Sequence, residues 1–165
     1  MSALKVIGRG HFTTAYRKDR KTVILKSRDK AKECMSLGWF PSSNLFPTVT
    51  RISGQDENGF SMYEMKYVTR VRSPKKQLTK EHYELYKTLK TVYSMRLDNA
   101  DDIIRKFEAL PIKRSIKNHL IDAVSALTNY GSDVHFEISP RNIGVTKTGK
   151  LILMDCFFFV NDLRH

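Results

Sequence analysis

The sequence predicts an α+β chain in which short strands come first, amphipathic helices second and one β-hairpin last. Three features carry this expectation. Up to residue 68, apolar and β-branched runs are short and broken by turn residues. From Tyr83 onward, apolar residues recur at steps of three and four. After Gly131, two apolar runs flank Lys147-Thr148-Gly149. The joint is expected near Val68 to Pro74, so that 1–68 forms a β part with one short helix and 69–165 a mainly helical part.

Leu4 to Ile7 is strand-like, and Ala15 to Lys26 looks like strand-turn-strand, with Thr22-Val23-Ile24-Leu25-Lys26 as its clearest segment. Asp29 to Leu37 suits a short helix with Gly38 as its stop. Glu57-Asn58-Gly59 signals a turn before the alternating Phe60 to Met65. Tyr83, Tyr86, Leu89, Tyr93 and Leu97 mark one amphipathic helix, and Asp101 to Ala109 a shorter one that closes near Pro111. Ile116, Leu120, Val124 and Leu127 mark a further helix ending at Gly131. Ile143 to Thr146 and Lys150 to Met154 then read as a hairpin.

The 165 residues are 41% hydrophobic and 28% charged, a globular composition long enough for a real core. The longest apolar run, Leu151 to Val160, is too short to span a bilayer and contains Asp155. The opening MSALKVIGRG lacks the apolar run of a signal peptide, so a cytoplasmic location is expected. Cys34 and Cys156 form neither a metal spacing nor a disulfide framework, and read as free thiols.

The net charge of +12 is concentrated. Residues 17–32 and residues 66–90 each hold eight basic and two acidic side chains, which leaves the rest of the chain neutral. Such segments favour anionic partners: nucleic acid, nucleotide phosphates, an acidic protein or a membrane surface. A solvated basic face with no partner is the plain alternative.

Three motifs follow one another. Gly8-Arg9-Gly10-His11-Phe12-Thr13 comes directly after the first strand, where glycines let backbone N–H groups approach phosphate oxygens. Thr13 stands where a dinucleotide-binding fingerprint has its third glycine, and a strand rather than a helix follows. A glycine-rich hairpin over a nucleotide fits better. Lys26 ends an apolar strand, where its charge needs water or an anion. His135-Phe136-Glu137-Ile138-Ser139-Pro140-Arg141-Asn142 comes third, with Asp155 beyond the hairpin.

In these residues the chain resembles a protein kinase, whose catalytic loop is H-R-D-x-x-x-x-N followed by a metal-binding Asp at D-F-G. His135, Pro140, Asn142 and Asp155 fall in matching places. The glycine segment is similar to that of the early serine/threonine kinases of short-tailed phages. The resemblance covers nearly the whole chain. It implies a small antiparallel β lobe followed by a truncated, mainly helical lobe with a catalytic-loop hairpin.

The resemblance also implies an ATP-dependent phosphotransferase, phage-encoded and acting on host proteins, in which the protein positions groups and neutralises charge. Gly8 and Gly10 would cover the phosphates, and Lys26 would hold them with Glu33 as its ion-pair partner. Glu64 to Tyr67 would meet the adenine edge, Glu137 would act as the base, and Asn142 and Asp155 would hold Mg²⁺. Glu137 replaces the family Asp, Phe136 the Arg beside it, and Phe157 the glycine of D-F-G. No activation segment or A-P-E motif follows Asp155, which reads as a reduced kinase. Two other readings stay open: an inactive pseudokinase that binds a host protein, and a basic nucleic-acid binder. The run Phe157 to Phe159 suits either a buried position or an adhesive edge.

Overall fold

The computed structural model describes residues 4–10 and 12–159. These divide into two compact units. One holds the residues up to Trp39 together with Pro47–Tyr67; the other holds Phe40–Phe46 and the chain from Val68 onward.

In the first unit, β1 (Lys5–Arg9), β2 (Thr13–Arg17), β3 (Thr22–Ser27), β4 (Val49–Ser53) and β5 (Ser61–Lys66) form an antiparallel sheet in the order β1-β2-β3-β5-β4. The helix α1 (Lys30–Ser36) follows β3 directly. Val23, Ile24 and Leu25 are all buried, as suits a strand in the middle of a sheet. The Asp29 carboxylate accepts the Ala31 N–H (2.9 Å) and so caps α1. Gly38 stops it at φ +78°, a conformation that costs glycine little. Ala31, Lys32 and Cys34 are its buried residues. Burial, with Glu33 adding to it, pushes the Cys34 thiol up to about 11, so this sulfur is unreactive.

The second unit starts with β6 (Thr69–Arg70) and the short α2 (Pro74–Gln77). Three longer helices follow: α3 (Lys80–Ser94), α4 (Ala100–Glu108) and α5 (Arg114–Leu127). Then come β7 (Val134–Phe136), β8 (Ile143–Val145), β9 (Leu151–Leu153) and β10 (Phe157–Phe159). Strands β6, β8 and β9 form one sheet, and β7 pairs with β10. Of the expected stripe Tyr83, Tyr86, Leu89, Tyr93 and Leu97, α3 buries Tyr86 and Leu89; Leu85 and Val92 complete its inner face, Tyr93 is exposed and Leu97 lies beyond the helix end. In α4 Ile103 and Phe107 are buried, and in α5 Leu120, Val124 and Leu127 are buried as their periodicity predicts. Lys117 is buried with its Nζ on the Glu108 carbonyl (2.7 Å), where it neutralises the C-terminus of α4. The segment 40–46 belongs here because the Leu45 carbonyl accepts the Leu153 N–H (2.7 Å) and Phe46 lies 6.5 Å from the Phe157 ring.

His82 ties α3 to β9, its Nδ1 accepting the Leu151 N–H at 3.0 Å. Burial lowers its pKa; Glu81 opposes that shift, and Lys150 and Lys113 add to it. Folding therefore favours the neutral ring. The resulting stability is complete above an unfolded-state pKa of about 6.5 and is lost as pH falls below that through the folded value. Urea midpoints are expected to drop from pH 7 to pH 5, and His82→Asn to flatten that slope. An unchanged slope in the variant would exclude His82 as its source.

Candidate functional site

The first unit carries the glycine turn and the lysine. β1 and β2 form a hairpin whose turn is closed by the Gly10 N–H on the Thr13 carbonyl (2.7 Å), with a register shift between Val6 and Gly8. Thr13 Oγ1 meets Ser27 Oγ (2.5 Å), and Ser27 Oγ also accepts the Asp29 N–H (3.0 Å). One chain of polar contacts, buried from Ser27 onward, thus joins the return of the glycine turn to the cap of α1.

Lys26 stands on β3 opposite Thr14 and Met62. The pleat turns its side chain to the opposite face from Leu25, Ser27 and their cross-strand partners Tyr63 and Ser61. Glu33 lies on that second face. Its carboxylate is 3.7 Å from Arg51 Nη1, and Arg51 also donates to Ser61 Oγ at 3.0 Å. Glu33 therefore pairs with Arg51. Lys26 Nζ instead sits 5.2 Å from the Phe60 ring centre and has no ion pair among the described residues. Strand alternation keeps the two groups apart.

Glu64 reaches Lys18 (3.6 Å), and the Tyr67 ring lies under the Arg17 guanidinium at 3.7 Å. The Tyr67 N–H is taken by the Lys21 carbonyl (2.7 Å), so it is not left for an adenine edge.

The second unit carries the catalytic-loop-like segment. β7 pairs with β10 from Val134 opposite Phe159 to Phe136 opposite Phe157, and the Glu137 N–H extends this pairing to the Cys156 carbonyl (2.8 Å). The wholly buried Ile138 anchors the loop. Pro140 then opens a 3-10 turn that ends at Asn142. The Asn142 carbonyl accepts three donors: the Met154 N–H (2.9 Å), the Asp155 N–H (3.1 Å) and Cys156 Sγ (3.5 Å). The Asn142 amide Nδ2 points to the Glu137 carbonyl at 3.5 Å. Glu137, Asn142 and Asp155, separated by up to 18 positions in the chain, are thus held in one hydrogen-bonded crossing.

The backbone bond between Asp155 and Asn142 brings an amide-bearing and a carboxylate-bearing residue to one place, and oxygens of these two types suit a hard cation that takes its remaining ligands from phosphate and water. Among the described residues no cluster of three His, Cys, Asp or Glu is placed to hold a metal. His135 lies in β7 against the Phe158 ring at 5.3 Å, its Nε2 buried without a hydrogen-bond partner among the described residues.

Phe136 and Phe157, both departures from the kinase pattern, are cross-strand partners with ring centres 5.3 Å apart. Both touch Phe107, at 5.3 and 6.5 Å. The Phe157–Phe159 run is buried at Phe157 and Phe159, and so is part of the core. Sequence reasoning missed Arg51 and Arg28. Arg28 has the same parity as Lys26 and was open to discovery from the strand period alone.

The element order agrees with the arrangement that the sequence resemblance implies: a glycine turn between the first two strands, a lysine near the end of the third, and a helix directly after it. The later loop and hairpin then carry Asn142 and Asp155. No protein-family model and no curated protein matches the chain. Among solved structures it is similar to aminoglycoside 2′-phosphotransferase-IIIa in its GDP complex, at 11% identity and a TM-score of 0.42 over 93% of this chain and 66% of that one. Aminoglycoside phosphotransferase APH(4)-Ia matches at 10% identity and a TM-score of 0.43, covering 95% and 68%. A ternary complex of a thermostable APH(4)-Ia mutant with AMP-PNP and hygromycin B matches at 12% and 0.41, covering 96% and 68%. The chain thus spans about two thirds of the length of these structures. Among the described residues, no helix is long and apolar enough to cross a membrane.

Proposed function

We propose that the chain is an ATP-dependent, kinase-like phosphotransferase whose acceptor is a serine or threonine hydroxyl of a protein, with a phage-encoded enzyme and a host target as the setting. The observation that supports it most is the Asn142 crossing, which holds Glu137, Asn142 and Asp155 together. In this reading Gly8, Gly10 and Lys26 receive the phosphates. Glu137 accepts the proton of the acceptor hydroxyl. Asn142 and Asp155 supply the oxygens for Mg²⁺, which when bound neutralises charge on the phosphate oxygens.

A thermal-shift titration of the whole chain with Mg²⁺-ATP tests this. At 100 times the Kd, bound nucleotide adds about 2.7 kcal/mol. Asp155→Ala, at an exposed position, is expected to remove the Mg²⁺-dependent part of the shift, measured against the variant's own unliganded Tm. A wild-type chain that shows no shift at millimolar Mg²⁺-ATP would sink the proposal. The diversion of Glu33 to Arg51 favours a second reading, a nucleotide-binding pseudokinase acting on a host protein. That reading expects the shift without phosphoryl transfer.

A further inference from the structure

Arg28 lies just past the end of β3 on the same face as Lys26, two residues and so about 6.6–6.8 Å further along the strand direction. The register that sets Ser27 opposite Thr13 and Ser61 continues by one step to set Arg28 between Phe12 and Phe60. The Arg28 N–H donates to the Phe12 carbonyl (3.1 Å), which fixes this row to the glycine turn. The guanidinium carbon is 6.0 Å from the Phe12 ring centre and 5.7 Å from that of Phe60. Lys26 Nζ approaches the same Phe60 ring at 5.2 Å.

Two like charges are therefore gathered at one aromatic ring, beside the glycine turn, with no carboxylate in ion-pair contact among the described residues. The carboxylate that feels Lys26 is Asp56, and its Oδ1 is already taken by the Asn58 and Phe60 N–H groups (2.9 Å each). Like charges held this way repel, and the repulsion is relieved by an anion that touches both. The ring faces add electrostatic attraction for both cations and keep them from folding away. A guanidinium offers a planar pair of N–H donors that fits phosphate oxygens.

We infer that Arg28 is a second phosphate-binding cation, which contacts the terminal phosphate of a nucleoside triphosphate whose inner phosphates lie at Lys26. This rests on the nucleotide-binding reading above and adds to it a residue that selects triphosphate over diphosphate. The order follows from the strand direction: Lys26 comes first, and Arg28 lies beyond it toward Phe12 and the tip of the glycine turn.

Calorimetric titration of the whole chain with ATP, ADP and AMP, each with Mg²⁺, tests it. The wild-type chain is expected to bind ATP more tightly than ADP. Arg28→Gln is expected to weaken ATP about tenfold, as loss of one charge-assisted hydrogen bond implies, while ADP and AMP affinities stay the same. Arg28→Lys, which keeps the charge, should retain most of the ATP preference. Because Arg28 is exposed, neither variant should shift the Tm. Equal weakening of ATP and ADP, or no weakening of either, overturns this assignment while the nucleotide reading stands. A wild-type chain that binds none of the three overturns both.

Discussion

Phe157→Ala is expected to destabilise the second unit by about 3–5 kcal/mol, the range for deleting a buried aromatic ring. Phe157 is 4% exposed and meets Phe46, Phe107 and Phe136. No short side chain at this point can fill the space between a strand, a helix and the 40–46 segment. The measurement is urea denaturation followed by far-UV circular dichroism. Phe136→Ala should cost a similar amount, because it removes the cross-strand partner of the same ring. In a double-mutant cycle the pair should show coupling of about 0.5–1.5 kcal/mol, the usual worth of an aromatic pair beyond its buried area. Additive losses would mean that the two rings pack independently. A Phe157→Ala cost under about 1 kcal/mol would show that the cluster collapses around the gap.

Glu137→Ala is expected to lower phosphoryl transfer from ATP, read as autophosphorylation, by about 10²–10⁴-fold, the usual contribution of a positioned general base. The Glu137 N–H on the Cys156 carbonyl fixes its backbone, and its carboxylate has no hydrogen bond or ion pair among the described residues. Removing it should therefore leave the Tm in place and nucleotide affinity unchanged. Glu137→Asp separates reach from charge. It introduces the shorter side chain of the kinase pattern, and a displacement of roughly 1 Å is enough to cost about 10²-fold. A rate in the Ala variant equal to wild type would take Glu137 out of the chemistry.

Much of the scaffold was legible because its periods are long enough to read. The stripe through Leu120, Val124 and Leu127 spans two helical turns, and Thr22 to Lys26 is apolar and β-branched over a full strand. The stripe expected for α3 is off by one position at Tyr93, because tyrosines share apolar and exposed roles and Val92 takes the inner place. The β8–β9 hairpin showed itself through Lys147-Thr148-Gly149, where Gly149 adopts φ +81°. What stayed hidden was defined by distant partners. β4 carries an exposed Ile52 beside a half-buried Arg51, so it lacks the alternation of a one-sided strand. β7 and β10 are three residues each and exist as strands only through each other.

The candidate site divides in the same way. The order and spacing of Gly8, Gly10, Lys26, Asn142 and Asp155 lie in the sequence, as does the helix that bears Glu33. The face that Glu33 presents does not, because it depends on the register that pairs Arg51 with Tyr63. The close crossing of β6 and β8 was equally unreadable: a side chain at Gly144 would run into Val68.

The ladder between β7 and β10 bears on control. Phe157–Phe159, shortly after Asp155, are locked in a paired strand, with Phe157 and Phe159 as its buried anchors. Swinging that backbone between an engaged and a retracted state would require three residue pairs to part and two aromatic rings to enter water. A segment of this kind works as a fixed mount and cannot serve as a cheap internal toggle.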